Sequence, residues 1–412
     1  MFIEIHILQN FAPSSLNRDE NNSPKTCLFG GYRRARISSQ CLKRSIRFHP
    51  SFKAAVESHQ GSVAVRTRRL FDCLVNGLTT KGHTLPDAEL IARNTITGLG
   101  FKIEEKETNS NGQKVNLTEY LMFLGQQEIE VLVDVAHRNA QVLVDIQAEE
   151  MMPAKTEKKM SKIKIKEQLK AAIPKHIQKE LLGVFKPAYP ADVAMFGRMV
   201  ADEKKLNVDA ACQVAHAFST NELTMEIDFF TAIDDIKSAQ STEDQGSDMI
   251  GTVEYNSSTY YRYVQVNLNQ LFKNLNHDLF QTRGALHGLI EATALAVPGG
   301  KQNSMTAQNP PDYIRVLVRA NGAPWSLANA FLEPVRPDRK NNENILALSV
   351  SHLNAYLNNL KAVYGDDGIL EDLVCTTLTG AGNGLSLAEL IAKVLSHIQT
   401  GPITNPQPEV GK

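Results

Sequence analysis

The chain has 412 residues, 42% of them hydrophobic and 22% charged, ordinary globular values that exclude a wholly disordered, collagenous or coiled-coil polymer. At roughly 150 residues per domain, this is enough for about two to three domains and a sizeable core. Forty-four basic and 45 acidic residues leave a formal net charge of −1, so any surface for a polyanion must be local.

Cys27, Cys41, Cys73, Cys212 and Cys375 lie far apart with no C-x-x-C pair, which disfavours a zinc ribbon and a disulfide scaffold and fits a reducing cytoplasm. The opening MFIEIHIL carries Glu4 and no basic run before it, unlike a secretory signal. No stretch approaches the roughly 18 apolar residues of a membrane helix. A cytoplasmic protein with no membrane partner is expected.

In chain order, Ile3, Ile5 and Ile7 alternate with Glu4 and His6, the period of a strand over residues 2–8. A turn-rich stretch from Pro13 to Pro24 follows. Ser38 and Ser39 then offer N-caps for a helix that carries Leu42 and Ile46 and stops before Pro50. From about Phe52 to Lys186 the periodicity is helical, interrupted by polar loops such as Glu104 to Lys114. Nine lysines fall between Lys155 and Lys179, the composition of a solvated segment.

Thr220 to Thr259 reads as an acidic excursion with Glu226, Asp228, Asp234, Asp235, Glu243, Asp244 and Asp248. Strand alternation returns at Tyr260–Leu268, where Tyr261, Tyr263, Gln265 and Asn267 make one wet, aromatic face. A helix over Leu286–Val297 ends at Pro298 and Gly299, and Tyr313–Arg319 alternates as another strand. Two strand–helix–strand units around a helical insertion predict a split ferredoxin-like α+β domain with one sheet face on helices and the other free.

The most unusual segment is Lys25 to Arg47, with Lys25, Arg33, Arg34, Arg36, Lys43, Arg44 and Arg47 and no acidic residue in 23 positions. On a helix Lys43 and Arg47 lie one turn apart beside Arg44, while Leu42 and Ile46 point elsewhere. Gly30 and Gly31 would let backbone approach a polyanion closely. The segment reads either as a nucleic-acid backbone clamp or as a solvated basic face paired with acids elsewhere.

Other motifs are poorer. Gly299-Gly300-Lys301 has Leu295 where a phosphate loop needs its first glycine and Gln302 in place of Ser or Thr. Gly380, Gly382 and Gly384 have the wrong spacing for a dinucleotide site. Asp228, Asp234 and Asp235 read as turn residues in preference to magnesium ligands. His6 and His216 lie in apolar contexts that suit core or edge positions.

The runs SSLNRDE at Ser14–Glu20 and LFGGYRRARISSQCLKRSIR at Leu28–Arg47 closely resemble the CasC family, the repeated backbone subunit of type I-E CRISPR Cascade complexes. AMFGRM (Ala194–Met199), VAHAFSTN (Val214–Asn221), EIDFFTAIDD (Glu226–Asp235), YYRYVQVNL (Tyr260–Leu268), AVPGGKQ (Ala296–Gln302) and LANAF (Leu327–Phe331) occur in the family's order. The resemblance is weakest over about 52–189 and after about 335.

It implies a hand-like subunit: an RNA-recognition-type palm at 1–51, 190–219 and 260–400, helical fingers at 52–189, a protruding thumb at 220–259 and a flexible tail at 401–412. Such subunits polymerise head to tail along a CRISPR RNA beside other Cascade subunits, and the guide bases pair with target DNA. Because every spacer differs, the grip must read backbone and not bases.

Guide contacts are expected from Arg18, Lys25, Lys43, Arg44 and Arg47, with Ser38 and Gln40 adding neutral hydrogen bonds and Arg33, Arg34 and Arg36 further guanidinium groups after the glycine pair. Arg198 and Met199 are expected near the kink, with Lys301 and Asn303 in the groove. Tyr32 stands where the family commonly has a cation. No catalytic residue, metal or cofactor is expected. The rival reading is an RNA-cleaving subunit like those of type III complexes, using Asp228, Asp234 or Asp235; a third is an oligomeric scaffold whose basic surface pairs with a neighbour's acids.

Overall fold

The computed structural model describes residues 1–107, 114–146, 170–185, 189–200, 203–232, 249–378 and 384–398. They form two compact units, one of residues 1–55, 212–269 and 286–412 and one of 56–211 and 270–285. Residues 190–211, expected to rejoin the sheet-bearing body, group with the second unit instead.

The first unit is α+β, built on one large antiparallel sheet. Strands β1 (Phe2–Ser14), β2 (Thr26–Phe29), β3 (Tyr32–Ile37), β8 (Cys212–Val214), β9 (Ala217–Ser219), β10 (Glu226–Ala232), β11 (Met249–Asn267), β12 (Tyr313–Arg319) and β13 (Ile369–Thr376) belong to it. The path runs β13-β12-β1-β11-β9-β3-β2, with β8 and β10 also on β11. β1 is central because its alternating isoleucines match apolar positions on both flanks. Ile5 lies opposite Val264 on one side and Val316 on the other.

Both faces of this sheet are covered, which corrects the expectation of a free one. On the isoleucine face Arg262 donates to the Thr293 carbonyl at 2.7 Å, so the helix Leu279–Leu295 lies there, with Leu286, Leu289 and Ile290 buried. On the other face Leu8, Tyr261, Tyr313 and Leu317 pack with Leu346, Val350, Leu353 and Leu357 of the helix Ile345–Tyr364. Tyr261, expected on a wet surface, is therefore core, and its hydroxyl accepts the Leu327 amide at 2.9 Å.

The stretch between β1 and the first helix contains a hairpin where only a loop was expected. Gly30 and Gly31 form its two-residue turn, both at positive φ, which glycine adopts without strain. A Cβ at Gly30 would also strike the Leu332 carbonyl. Turn geometry accounts for both glycines, and close packing adds to it at Gly30. Helix α1 (Ser39–Phe48) follows directly.

The second unit is mainly helical, with helices Leu70–Thr80, Leu85–Gly98, Gln126–Arg138, Ala140–Asp145, Lys175–Gly183 and Ala191–Phe196. Leu74, Ile91, Ile96, Leu124, Leu132, Ile177 and Leu181 share its core. The polar stretch expected as a loop holds strands β5 (Ile103–Glu107) and β6 (Lys114–Thr118), and β4 (Ala64–Thr67) pairs with β7 (Met122–Gly125). Lys155, Lys158, Lys159, Lys162, Lys164 and Lys166 lie outside the described residues, as do Asp234, Asp235, Glu243, Asp244, Asp248, Gly380, Gly382 and residues 401–412. Among the described residues no helix is long and apolar enough to cross a membrane.

Candidate nucleic-acid interface

Helix α1 forms because its two buried side chains, Leu42 and Ile46, are one turn apart and face the body. That orientation leaves Arg44 exposed and Lys43 and Arg47 half-buried on the remaining surface. The first turn carries no acid. Arg44 and Arg47 both approach the Phe48 ring, with guanidinium carbons 4.5 and 5.6 Å from its centroid.

The loop before the hairpin is tied to the start of this helix. The Asn17 carbonyl accepts the Lys25 amide at 2.8 Å, and the Asn17 side chain accepts the Ser38 amide at 2.9 Å. Asp19 accepts the amides of Asn21 and Ser23, closing a turn that presents Arg18. His216 Nδ1 accepts the Ser39 amide at 3.1 Å and also receives Arg36, while Ser39 Oγ donates to the Val214 carbonyl at 2.7 Å.

The local field is positive. Burial lowers the His216 pKa and the charges of Arg36 and Lys25 lower it further. Burial pushes the Cys41 thiol up, opposed by Lys25 and Arg44. The same two small sites thus feel Lys25, Arg36 and Arg44 together, which places these cations around the N-terminal half of α1. Cys212, fully buried, is pushed up to about 12 by desolvation, with Lys43 opposing.

Lys301 comes to the same unit by backbone packing. Gly300 runs so close to the Ser15 and Leu16 carbonyls that a Cβ there would overlap both, and Arg18 follows two residues later in the chain. Lys301 itself is left-handed, with φ 53°. It borders a cleft of about 610 Å³ with Pro13, Asp228, Phe230, Val253, Tyr255, Ser304 and Met305. Asn303 is exposed on the short turn beyond it.

Two expected contacts are corrected by burial. Arg34 is fully buried, and its two terminal nitrogens donate to the carbonyls of Ser219, Thr220, Phe331 and Leu332 at 2.7 to 3.2 Å. It clamps backbone and presents nothing to a ligand. Arg198 is 5% exposed and bonds the Leu206 and Phe123 carbonyls and both oxygens of Glu128. Phe185 and Tyr189 flank it.

Ser38 is buried too, with no side-chain cap bond, so its hydroxyl is out of reach of a strand. Arg33 and Gln40 are exposed, and Arg36 is spanned by the Thr26 carbonyl and His216. Met199, in the second unit, is 88% exposed beside a cleft of about 580 Å³ with Arg66, Leu121 and Phe123.

Asp228 is exposed on β10, and among the described residues no group of three His, Cys, Asp or Glu side chains is placed to hold an ion. His6 is core, as its context implied. Asn17 and Ser39, which brace the start of α1, were not singled out by the sequence; the Asn-x-Asp turn before Lys25 was the available signal for the first.

Two solved structures extend the comparison. A chain titled "CRISPR RNA-guided surveillance complex, pre-nicking" is 29% identical at TM-score 0.76, covering 97% of this chain and 100% of that one. A chain titled "CRISPR RNA-guided surveillance complex" is 25% identical at TM-score 0.68, covering 96% and 100%. No curated protein matches. The sheet-bearing body is thus shared with subunits of such complexes, and the profile of one family spans residues 3–396: the chain belongs to the CT1975-like protein family.

Proposed function

We propose that this chain is a non-catalytic, guide-binding backbone subunit of a type I-E Cascade complex, a member of the CasC group, which holds CRISPR RNA so that its bases pair with target DNA. The observation that carries it is α1: an acid-free helix with Leu42 and Ile46 inside and Lys43, Arg44 and Arg47 on the remaining surface, adjoined by Lys25 and Arg36. Guanidinium and ammonium groups bind phosphate without regard to base. The family match and the likeness to surveillance-complex chains support the same reading.

The β10–β11 ribbon supports assembly with further copies. Ile227, Phe229 and Ile250 lie on one side of it, and all three are exposed. A contact that repeats along a strand must be heterologous, since an isologous one closes at two subunits. A closed two-fold dimer in the RNA-bound assembly would contradict this arrangement.

The direct test is the variant Lys43→Ala/Arg44→Ala/Arg47→Ala. Loss of three phosphate contacts should flatten the dependence of log affinity on log salt by about 2 for single-stranded RNA, at about 0.7 per contact. Unchanged RNA affinity and unchanged slope would refute the interface.

A further inference from the structure

Helix α1 ends on Phe48, whose side chain is 68% exposed, more than any other phenylalanine among the described residues. Burial is the usual fate of this residue, and on the same helix Leu42 and Ile46 take it. Phe48 stands instead among the cations, with the Arg44 and Arg47 guanidiniums 4.5 and 5.6 Å from its ring centroid. A guanidinium is itself flat and weakly hydrated, so one stacked over an aromatic ring offers its own outer face as a further planar surface.

The surroundings narrow the ligand. Two guanidiniums stand at the ring, which favours an anionic occupant, and a flat exposed ring calls for a second flat ring. A single-stranded nucleic acid supplies both within one nucleotide. Every base has a π-face, so stacking adds affinity without reading a letter. This fits a subunit that must accept any spacer.

We propose that Arg44, Arg47 and Phe48 form a stacking platform for one unpaired nucleobase of the bound strand, beside the phosphates that the same guanidiniums hold. The proposal rests on the nucleic-acid reading above and adds a base contact to it.

The test uses the whole protein, a mixed-sequence single-stranded RNA and an abasic strand of equal length. Phe48→Leu keeps apolar bulk and removes the ring; Phe48→Trp keeps a ring. Phe48→Leu should bind the mixed RNA about 5- to 100-fold more weakly, with the salt slope unchanged because no phosphate contact is lost. Phe48→Trp should bind as the unaltered protein does, and Phe48→Leu should match the unaltered protein on the abasic strand. Equal affinities for the mixed RNA, or the same loss on the abasic strand, would overturn the platform while leaving the phosphate interface standing. No RNA binding by the unaltered protein would overturn both.

Discussion

Arg34 and Arg44 lie ten residues apart in the same acid-free run, yet one donates four hydrogen bonds to backbone carbonyls and the other stacks over an exposed ring. The difference comes from the element that carries each. Arg34 sits on strand β3, paired to β2 on one side and to β9 on the other, so its side chain must enter a face of the sheet. Arg44 sits on an amphipathic helix whose apolar stripe is elsewhere. Arg198 repeats the first fate in the second unit, held by Glu128 and two carbonyls. Cation density alone therefore says little about what a cation does.

The largest test of that contrast is stability. Arg198→Leu removes the partner of buried Glu128, which costs about 3–5 kcal/mol, and Arg34→Leu strips the donors from buried carbonyls at roughly 1–3 kcal/mol each. Urea denaturation should show both variants strongly destabilised. The three-residue α1 variant, at about 0.5 kcal/mol per surface substitution, should be destabilised less than either. Arginine variants that fold normally but lose RNA would reverse the assignment.

A smaller effect separates core from surface by pH. His6, on the central strand β1 of the same sheet, bonds Tyr261 at 3.0 Å and stacks on Tyr263. Burial lowers its pKa from 6.5 to about 3, with the Arg315 charge adding, Asp372 opposing and Arg319 adding. The unfolded chain thus takes up a proton near pH 6.5 that the folded chain refuses, so stability falls as pH drops from about 6.5 towards 3. The slope is at most one proton, about 1.4 kcal/mol per pH unit. Glu4, whose pKa burial raises, works against this at the acid end. His6→Asn should flatten the slope between pH 6.5 and 4.5; an unchanged slope would show that His6 does not set it.

Much of the framework was legible in local pattern. The isoleucine alternation of β1, the Leu42–Ile46 spacing of α1 and the alternation of β12 each report a periodicity that the backbone imposes by itself. What misled was partnership. Tyr261 reads as a wet-face residue until the helix Ile345–Tyr364 covers it, and Lys25–Ile37 reads as loop because short polar strands have little periodicity of their own. The glycine pair at 30–31 was visible, but its hairpin role depends on register with residues on both sides.

The sequence by itself determined that positive charge is concentrated in the acid-free run and that α1 turns its cations away from Leu42 and Ile46, since charge count and helical period are properties of the chain. Only tertiary structure decided that Arg34, Ser38 and Arg198 are buried, that Asn17 and His216 tie the first loop and β8–β9 region to α1, and that Phe48 stays exposed near two guanidiniums. Burial is a property of what lies on the other side of a residue, and for Arg34 that neighbour comes from nearly 200 to 300 positions away.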